Sequence, residues 1–212
     1  MTRPDLMAMA EQERFALLSL ARSLTENQWD SPSLCAFWRV RDVATHVVSY
    51  DELSTLGTVG TFLRGGLRPG RVNDVALHRY RDLSTEGLVD LLARTQRPHG
   101  LPTGFRGGIA LTDGTIHHQD IRRALDLPRT IPGNQLAAVL DFSLTAPTLP
   151  SKDNRRGLRL VATDLDWSTG EGPEVVGPAE ALLMAVAGRP HALADLGGEG
   201  LPTLRRRVGR SA

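Results

Sequence analysis

The sequence has little lysine, little cysteine and almost no net charge. Lys152 is the only lysine, and 25 basic residues against 24 acidic residues leave a formal net charge of +1. A chain without a strong positive field lacks the electrostatic footprint of nucleic-acid or anionic-membrane binding, so we predict neither partner. Cys35 is the only cysteine. It therefore excludes both an intramolecular disulfide and a metal cage built from several cysteines.

Long apolar runs are also missing. The N-terminal stretch lacks the uninterrupted apolar segment of a signal peptide, and no segment reaches the roughly 18 apolar residues that suggest a membrane span. Hydrophobic residues still make up 41% of the 212-residue chain, which is enough for a packed core. We therefore predict a globular, cytoplasmic protein that is a monomer or a homodimer.

Apolar periodicity predicts helices over residues 5–24 and 40–53, a third helix after Ser84 and a fourth from about residue 107 to 125. The stretch 54–81 is rich in glycine, which favours a loop around a short helix. Later segments predict a short helix over 134–146, strands over 158–162 and 174–176, a turn over 168–173 and a helix over 179–187. The predicted class is therefore α+β.

The fourth helix carries ionisable residues on its predicted inner face. That face contains three apolar residues and one alanine, Ile109, Ile116, Ile121 and Ala124, together with Asp113, His117 and Asp120. Asp113 and His117 are four residues apart, so their side chains lie about one turn apart on the same side of the helix. An ionised carboxylate in that position needs a partner, a proton or a metal ion.

His46 is the best placed third ligand, because it lies at the edge of the apolar stripe of the second helix. Two imidazoles and one carboxylate suit zinc and leave a coordination position open; nickel, iron and manganese stay open as alternatives. The spacing alone has another explanation. Asp113 and His117 would then form an ordinary hydrogen bond on a solvated face, and His46 would be a half-buried core residue.

Several segments together resemble one family. Trp29–Asp30, Ser33–Cys35 and Trp38–His46 are similar to the opening of mycothiol-dependent maleylpyruvate isomerase family proteins, and His117–Leu125 is similar to a later motif of that family. The similarity extends to the C-terminal part. It is carried there by the segments 157–160, 164–167, 172–175 and 188–190. The match spans about residues 8 to 205.

The resemblance implies a DinB-like four-helix bundle over residues 1–150 and a small α/β module, reduced sterol-carrier-like, over 151–212. It also implies metal ligands at His46, Asp113 and His117. The acidic ligand of the isomerase is typically glutamate, so Asp113 is one methylene shorter than the family pattern. This difference puts the isomerase activity in more doubt than the metal.

The resemblance further implies mycothiol as a thiol cosubstrate and a small electrophile as substrate. We predict a metal-dependent enzyme that activates the thiol for transfer to that substrate, or for isomerisation of it. Two alternatives are a metal-dependent hydrolase that activates water and a non-catalytic protein that binds a small ligand.

Three further groups have two interpretations each. Asp120 either holds a ligand imidazole from behind or pairs with Arg122 or Arg123. For Cys35, a buried structural role is preferred over a reactive thiol. The arginines at positions 64, 68 and 71 form either a solvated loop or an anion-binding cluster.

Overall fold

The computed structural model describes residues 4–53 and 69–211. Its contacts divide the chain into two units, Met1–Pro128 and Arg129–Ala212. The first is helical and the second combines helices with a small sheet, so the predicted α+β class is confirmed. The sequence prediction set the boundary at 150, whereas the structure groups residues 129–150 with the second unit. Arg64, Arg68 and the side chain of Arg71 lie outside the described residues.

The first unit contains six helices among the described residues. They are α1 (Leu6–Ser23), α2 (Glu26–Trp29), α3 (Val40–Val48), α4 (Pro69–His78), α5 (Thr85–Arg94) and α6 (Gly108–Ala124), with a 3-10 segment over Leu101–Gly107. Helices α1 and α3 each pack against both α5 and α6. This arrangement is the predicted four-helix bundle. Its core contains Leu17, Trp29, Val43 and Leu91, all 2% exposed or less.

Helix α3 is shorter than the predicted span 40–53. It ends at Val48 and is followed by turns, in which the amide of Asp51 donates to the carbonyl of Val48. The Asp51 carboxylate accepts two hydrogen bonds from Arg14 of α1, both of 2.8 Å. Arg14 also donates to the carbonyls of Val47 and Thr95. Arg14 and its buried ion pair therefore join α1 to the ends of α3 and α5. Asp51 lies in the span that was predicted as the last turn of α3.

Helix α6 is central to the unit, because it packs against both α1 and α3. It follows Gly107, whose φ of +93° and close approach to the backbone of Met7 require glycine. The predicted inner residues Ile116, Asp120 and Ile121 are buried. His118 is fully buried as well. Its Nδ1 lies 2.8 Å from Oε1 of Glu13 on α1, so α6 has a second polar face that the periodicity did not predict.

The second unit contains α7 (Gly133–Ser143), α8 (Ser151–Asn154), β1 (Arg159–Ala162), β2 (Ser168–Thr169), β3 (Glu174–Gly177), α9 (Ala179–Val186), a 3-10 segment (Pro190–Asp195) and α10 (Leu201–Ser211). Strand β1 is central, antiparallel to β2 and parallel to β3. Strand β2 occupies part of the predicted turn over 168–173. Helix α9 is buried and packs against α7, which places α7 in this unit. No helix in the described ranges is long and apolar enough to span a membrane.

Candidate metal centre

The structure brings the three residues predicted as metal ligands together. Oδ1 of Asp113 lies 3.7 Å from Nε2 of His46 and 3.5 Å from Nε2 of His117. One donor atom from each of the three residues lies within 4.8 Å of the other two. His46 comes from α3, and the other two residues come from consecutive turns of α6. The packing of α3 against α6 therefore builds the cluster.

These distances suit a shared cation better than direct hydrogen bonds. An N–H···O hydrogen bond joins atoms about 2.7–3.2 Å apart, and both contacts of Asp113 are longer. Tetrahedral zinc with bonds of about 2.0–2.2 Å places neighbouring donor atoms about 3.3 Å apart. The His46 and His117 side chains are 8% and 12% exposed, whereas that of Asp113 is 38% exposed. A ligand could therefore approach past the carboxylate.

Asp120 supports His117 from the other side of its ring. Its Oδ2 lies 2.9 Å from Nδ1 of His117, and the residue is completely buried. With the proton on Nδ1, His117 donates to Asp120 and directs the lone pair of Nε2 at Asp113. Histidines that bind metals usually have such a carboxylate or carbonyl partner. Nδ1 of His46 differs, because this buried atom has no hydrogen-bond partner within the described parts of the chain.

Cys35 lies beside the same carboxylate. Its Sγ donates to Oδ2 of Asp120 over 3.1 Å and lies 3.5 Å from Nδ1 of His117. The expectation of a purely structural cysteine therefore missed a contact with the site. Cys35 is half-buried, and it precedes Phe37, a residue with a positive φ of 68°. Sequence periodicity gives no signal for this contact, because Cys35 lies in a turn.

Aromatic rings surround His46. The ring of Trp38 lies 5.0 Å from that of His46 and 6.3 Å from that of His117, measured between centroids. Tyr50 meets His46 edge to face at 6.1 Å, and its hydroxyl donates to Oδ1 of Asn73 over 2.7 Å. Trp38 and Tyr50 therefore shield the buried histidine from solvent.

The charges of the cluster oppose the effect of burial. Burial alone would raise the pKa of Asp113, but the nearby His117 and His46 hold this pKa well below its usual value. Burial would likewise lower the pKa of His117. The charge of Asp113 and then hydrogen bonds with Asp120 and Cys35 raise this pKa well above its usual value. For Tyr50, burial and then the charge of Asp113 raise the pKa to about 12, so its phenol is neutral at physiological pH.

A cavity of about 500 Å³ is lined by Trp38 and by Thr45, the sequence neighbour of His46. Its other walls include Arg39, Arg41 and Arg81. Arg39 and Arg41 are both paired with Asp30. The cavity has the size of a small-molecule site, and its walls combine an aromatic ring with cationic groups.

The N-terminal part of the chain matches a family model. Residues 10–122 match the model described as the mycothiol maleylpyruvate isomerase N-terminal domain. The chain belongs to this family. The match includes His46, Asp113 and His117, and it ends before the second unit. A search of curated proteins found no match to the chain.

Two solved structures of the mycothiol-dependent maleylpyruvate isomerase are similar in fold to this family member. The first is 14% identical in sequence and has a TM-score of 0.54, and the similarity covers 94% of this chain and 96% of that chain. The second, a variant with one histidine replaced by alanine, is 13% identical with a TM-score of 0.53 and the same coverage. The similarity therefore extends over both units and establishes the fold.

Proposed function

We propose that this protein is a mycothiol-dependent enzyme whose divalent metal, preferentially zinc, is held by His46, Asp113 and His117. The observation that carries the proposal is the spacing of the three donor atoms, which is too wide for hydrogen bonds and suits a shared cation. Family membership supports mycothiol as the thiol. The side chain of Asp113 is 38% exposed, so a thiol would have access to a cation held there.

A bound divalent cation lowers the pKa of a coordinated thiol and so keeps it as the thiolate, which is the nucleophilic form. The protein's own residues prepare the position. Asp120 keeps the Nδ1 proton on His117, so that the lone pair of Nε2 would be available to a bound cation. Trp38 and Tyr50 exclude water around His46. The carboxylate of Asp113 would offset one positive charge of a bound cation.

Two reaction outcomes share the same first step, in which the thiolate sulfur forms a bond to an electrophilic carbon of the substrate. In a transfer reaction this S–C bond persists, and the substrate either gains a proton or loses a leaving group with its electron pair. In an isomerisation the sulfur adds to a double bond, the substrate rotates about the resulting single bond, and elimination regenerates the thiol. Transfer consumes one thiol per product, whereas isomerisation consumes none.

Metal content tests the proposal first. Protein purified without chelator should contain about one equivalent of zinc, nickel, iron or manganese by elemental analysis. His46→Ala and His117→Ala should lose most of it. His78→Ala is the matched control, because His78 is an exposed histidine of the same unit. Equal metal in the wild type and in His46→Ala would remove His46 from the site.

Activity then separates the reaction classes. The metal-loaded wild type is incubated with mycothiol and either maleylpyruvate or a halogenated electrophile, and free thiol and product are measured together. Product with loss of thiol indicates transfer, and product without loss indicates isomerisation. Ester or amide cleavage without thiol would support a hydrolase instead. Absence of stoichiometric metal would favour a ligand-binding protein. We also propose a cytoplasmic location, because the proposed thiol cosubstrate needs a reducing compartment.

A further inference from the structure

We propose that Cys35 is a positioning residue of the metal centre, whose thiol fixes Asp120 and through it the orientation of His117. The inference rests on the proposed metal-binding function. It concerns a residue that sequence reasoning assigned to the structural core. Its basis is a chain of two hydrogen bonds from Cys35 to Asp120 and from His117 to Asp120.

Cys35, His117 and Asp120 also lie close enough together to hold a metal ion. Their spacing differs from that of the cluster around Asp113. Oδ2 of Asp120 lies 2.9 Å from the imidazole nitrogen and 3.1 Å from the sulfur. The shorter of these is a typical N–H···O hydrogen bond, and it is shorter than the roughly 3.3 Å between donors of a tetrahedral zinc ion. We therefore assign the thiol hydrogen of Cys35 and the Nδ1 hydrogen of His117 to hydrogen bonds with the carboxylate of Asp120. This cluster then supports the metal site and is not a second site.

The backbone fixes Cys35 in this position. The amide of Leu34 donates to the carbonyl of Asp120 over 3.2 Å, which attaches the turn directly to α6. The amide of Cys35 donates to Oγ of Ser33, and the amide of Trp38 donates to the carbonyl of Cys35. Phe37 takes a left-handed conformation with its side chain fully exposed. The turn therefore places Cys35 against Asp120 and Trp38 against His46.

Removal of the thiol has a defined consequence. Asp120 is completely buried, so a lost hydrogen bond cannot be replaced by bulk water. The carboxylate then holds His117 less firmly, and Nε2 no longer faces the metal position in a single orientation. Loss of a group that supports a metal ligand typically weakens metal binding 10- to 100-fold. We expect about a tenfold loss for Cys35→Ala, at the lower end because Asp120 itself stays.

The test compares zinc affinities by competition with a chromophoric chelator. Cys35→Ala should weaken zinc binding about tenfold, whereas Cys35→Ser, which retains a hydrogen-bond donor, should stay within about threefold of the wild type. Leu91→Ala is the control for stability, because Leu91 is buried elsewhere in the bundle. It should lower the melting temperature without changing the zinc affinity. A second readout is the NMR signal of the Nδ1 proton of His117 in metal-free protein.

Wild-type zinc affinity in Cys35→Ala would overturn the inference. So would an equal loss of affinity in Cys35→Ala, Cys35→Ser and Leu91→Ala, because that result indicates general destabilisation. A wild type that binds no zinc would refute the proposed function and not the positioning role. In that case the NMR signal decides: an Nδ1 proton resonance that is unchanged in Cys35→Ala overturns the inference, and one that is shifted or lost only in the alanine variant supports it.

Discussion

Zinc binding to the metal-free protein should release a proton from His117. The charge of Asp113 and the hydrogen bonds around the ring raise the pKa of His117 well above its usual value, so the imidazole is mostly protonated near neutral pH. A metal ligand must be neutral, and the proton therefore leaves when zinc binds. With an ordinary pKa of about 6.5, only about a tenth of the imidazole would be protonated at pH 7.5. Because the pKa of His117 is raised, we expect this residue to release a clearly larger fraction of a proton than that.

Isothermal titration calorimetry measures this release directly. Zinc is titrated into metal-free protein in two buffers that differ in ionisation enthalpy, and the difference in observed enthalpy gives the number of protons released. Each unit by which the pKa is raised weakens apparent zinc affinity at lower pH about tenfold, or about 1.4 kcal/mol. NMR titration of His117 in the metal-free protein provides the independent pKa.

The stability of the metal-free protein and its affinity for zinc depend on pH in opposite directions. In metal-free protein the raised pKa of His117 contributes stability that is complete below about pH 6.5, the unfolded value, and is lost as pH rises through the folded pKa. Zinc affinity increases over the same range. Asp113→Asn removes the largest effect that raises the pKa of His117, so this pKa should fall. A metal-free wild type in which His117 titrates at or below 6.5 would refute the reasoning.

Two further substitutions test the geometry. Asp113→Glu restores the family's longer acid. Because the aspartate oxygen already lies 3.5 and 3.7 Å from the two imidazoles, we expect zinc to bind most tightly to the wild type, less tightly to Asp113→Glu and most weakly to Asp113→Ala. Tightest binding by the glutamate variant would contradict this expectation. Arg14→Met leaves the buried carboxylate of Asp51 unpaired, which should cost about 3–5 kcal/mol in urea denaturation. Arg94→Ala, which breaks an exposed pair, should cost less than about 1 kcal/mol, and equal losses in the two variants would contradict the assignment.

The sequence predicted the helices that carry the site because their apolar stripes are regular. Ser84 was correctly placed as the N-cap of α5, where its hydroxyl accepts from the amide of Gly87. The spacing of Asp113 and His117 left an ordinary hydrogen bond open as an alternative, and the resemblance to the family was needed to imply that these side chains share a site with His46. The pattern could not show that α3 ends at Val48 or that Asp51, in the turns that follow, pairs with Arg14 from 37 positions away.

The role of Cys35 was also beyond sequence reasoning. Its contact with Asp120 joins residues 85 positions apart, and it depends on a turn in which Phe37 has a positive φ. Single-sequence patterns describe neither long-range turn contacts nor such backbone conformations. The same limit applies to His118, which forms a buried contact with Glu13 of α1.

The two histidines of the centre are anchored unequally. His117 is braced by a carboxylate behind its ring, whereas the corresponding nitrogen of His46 meets no hydrogen-bonding group in residues 4–53 or 69–211. On its Nδ1 side the His46 ring therefore lacks the support that Asp120 gives His117, and α3 ends two residues further on. We therefore expect a cation bound at this centre to dissociate from His46 first. Asp113 and His117, both on α6, would release it afterwards.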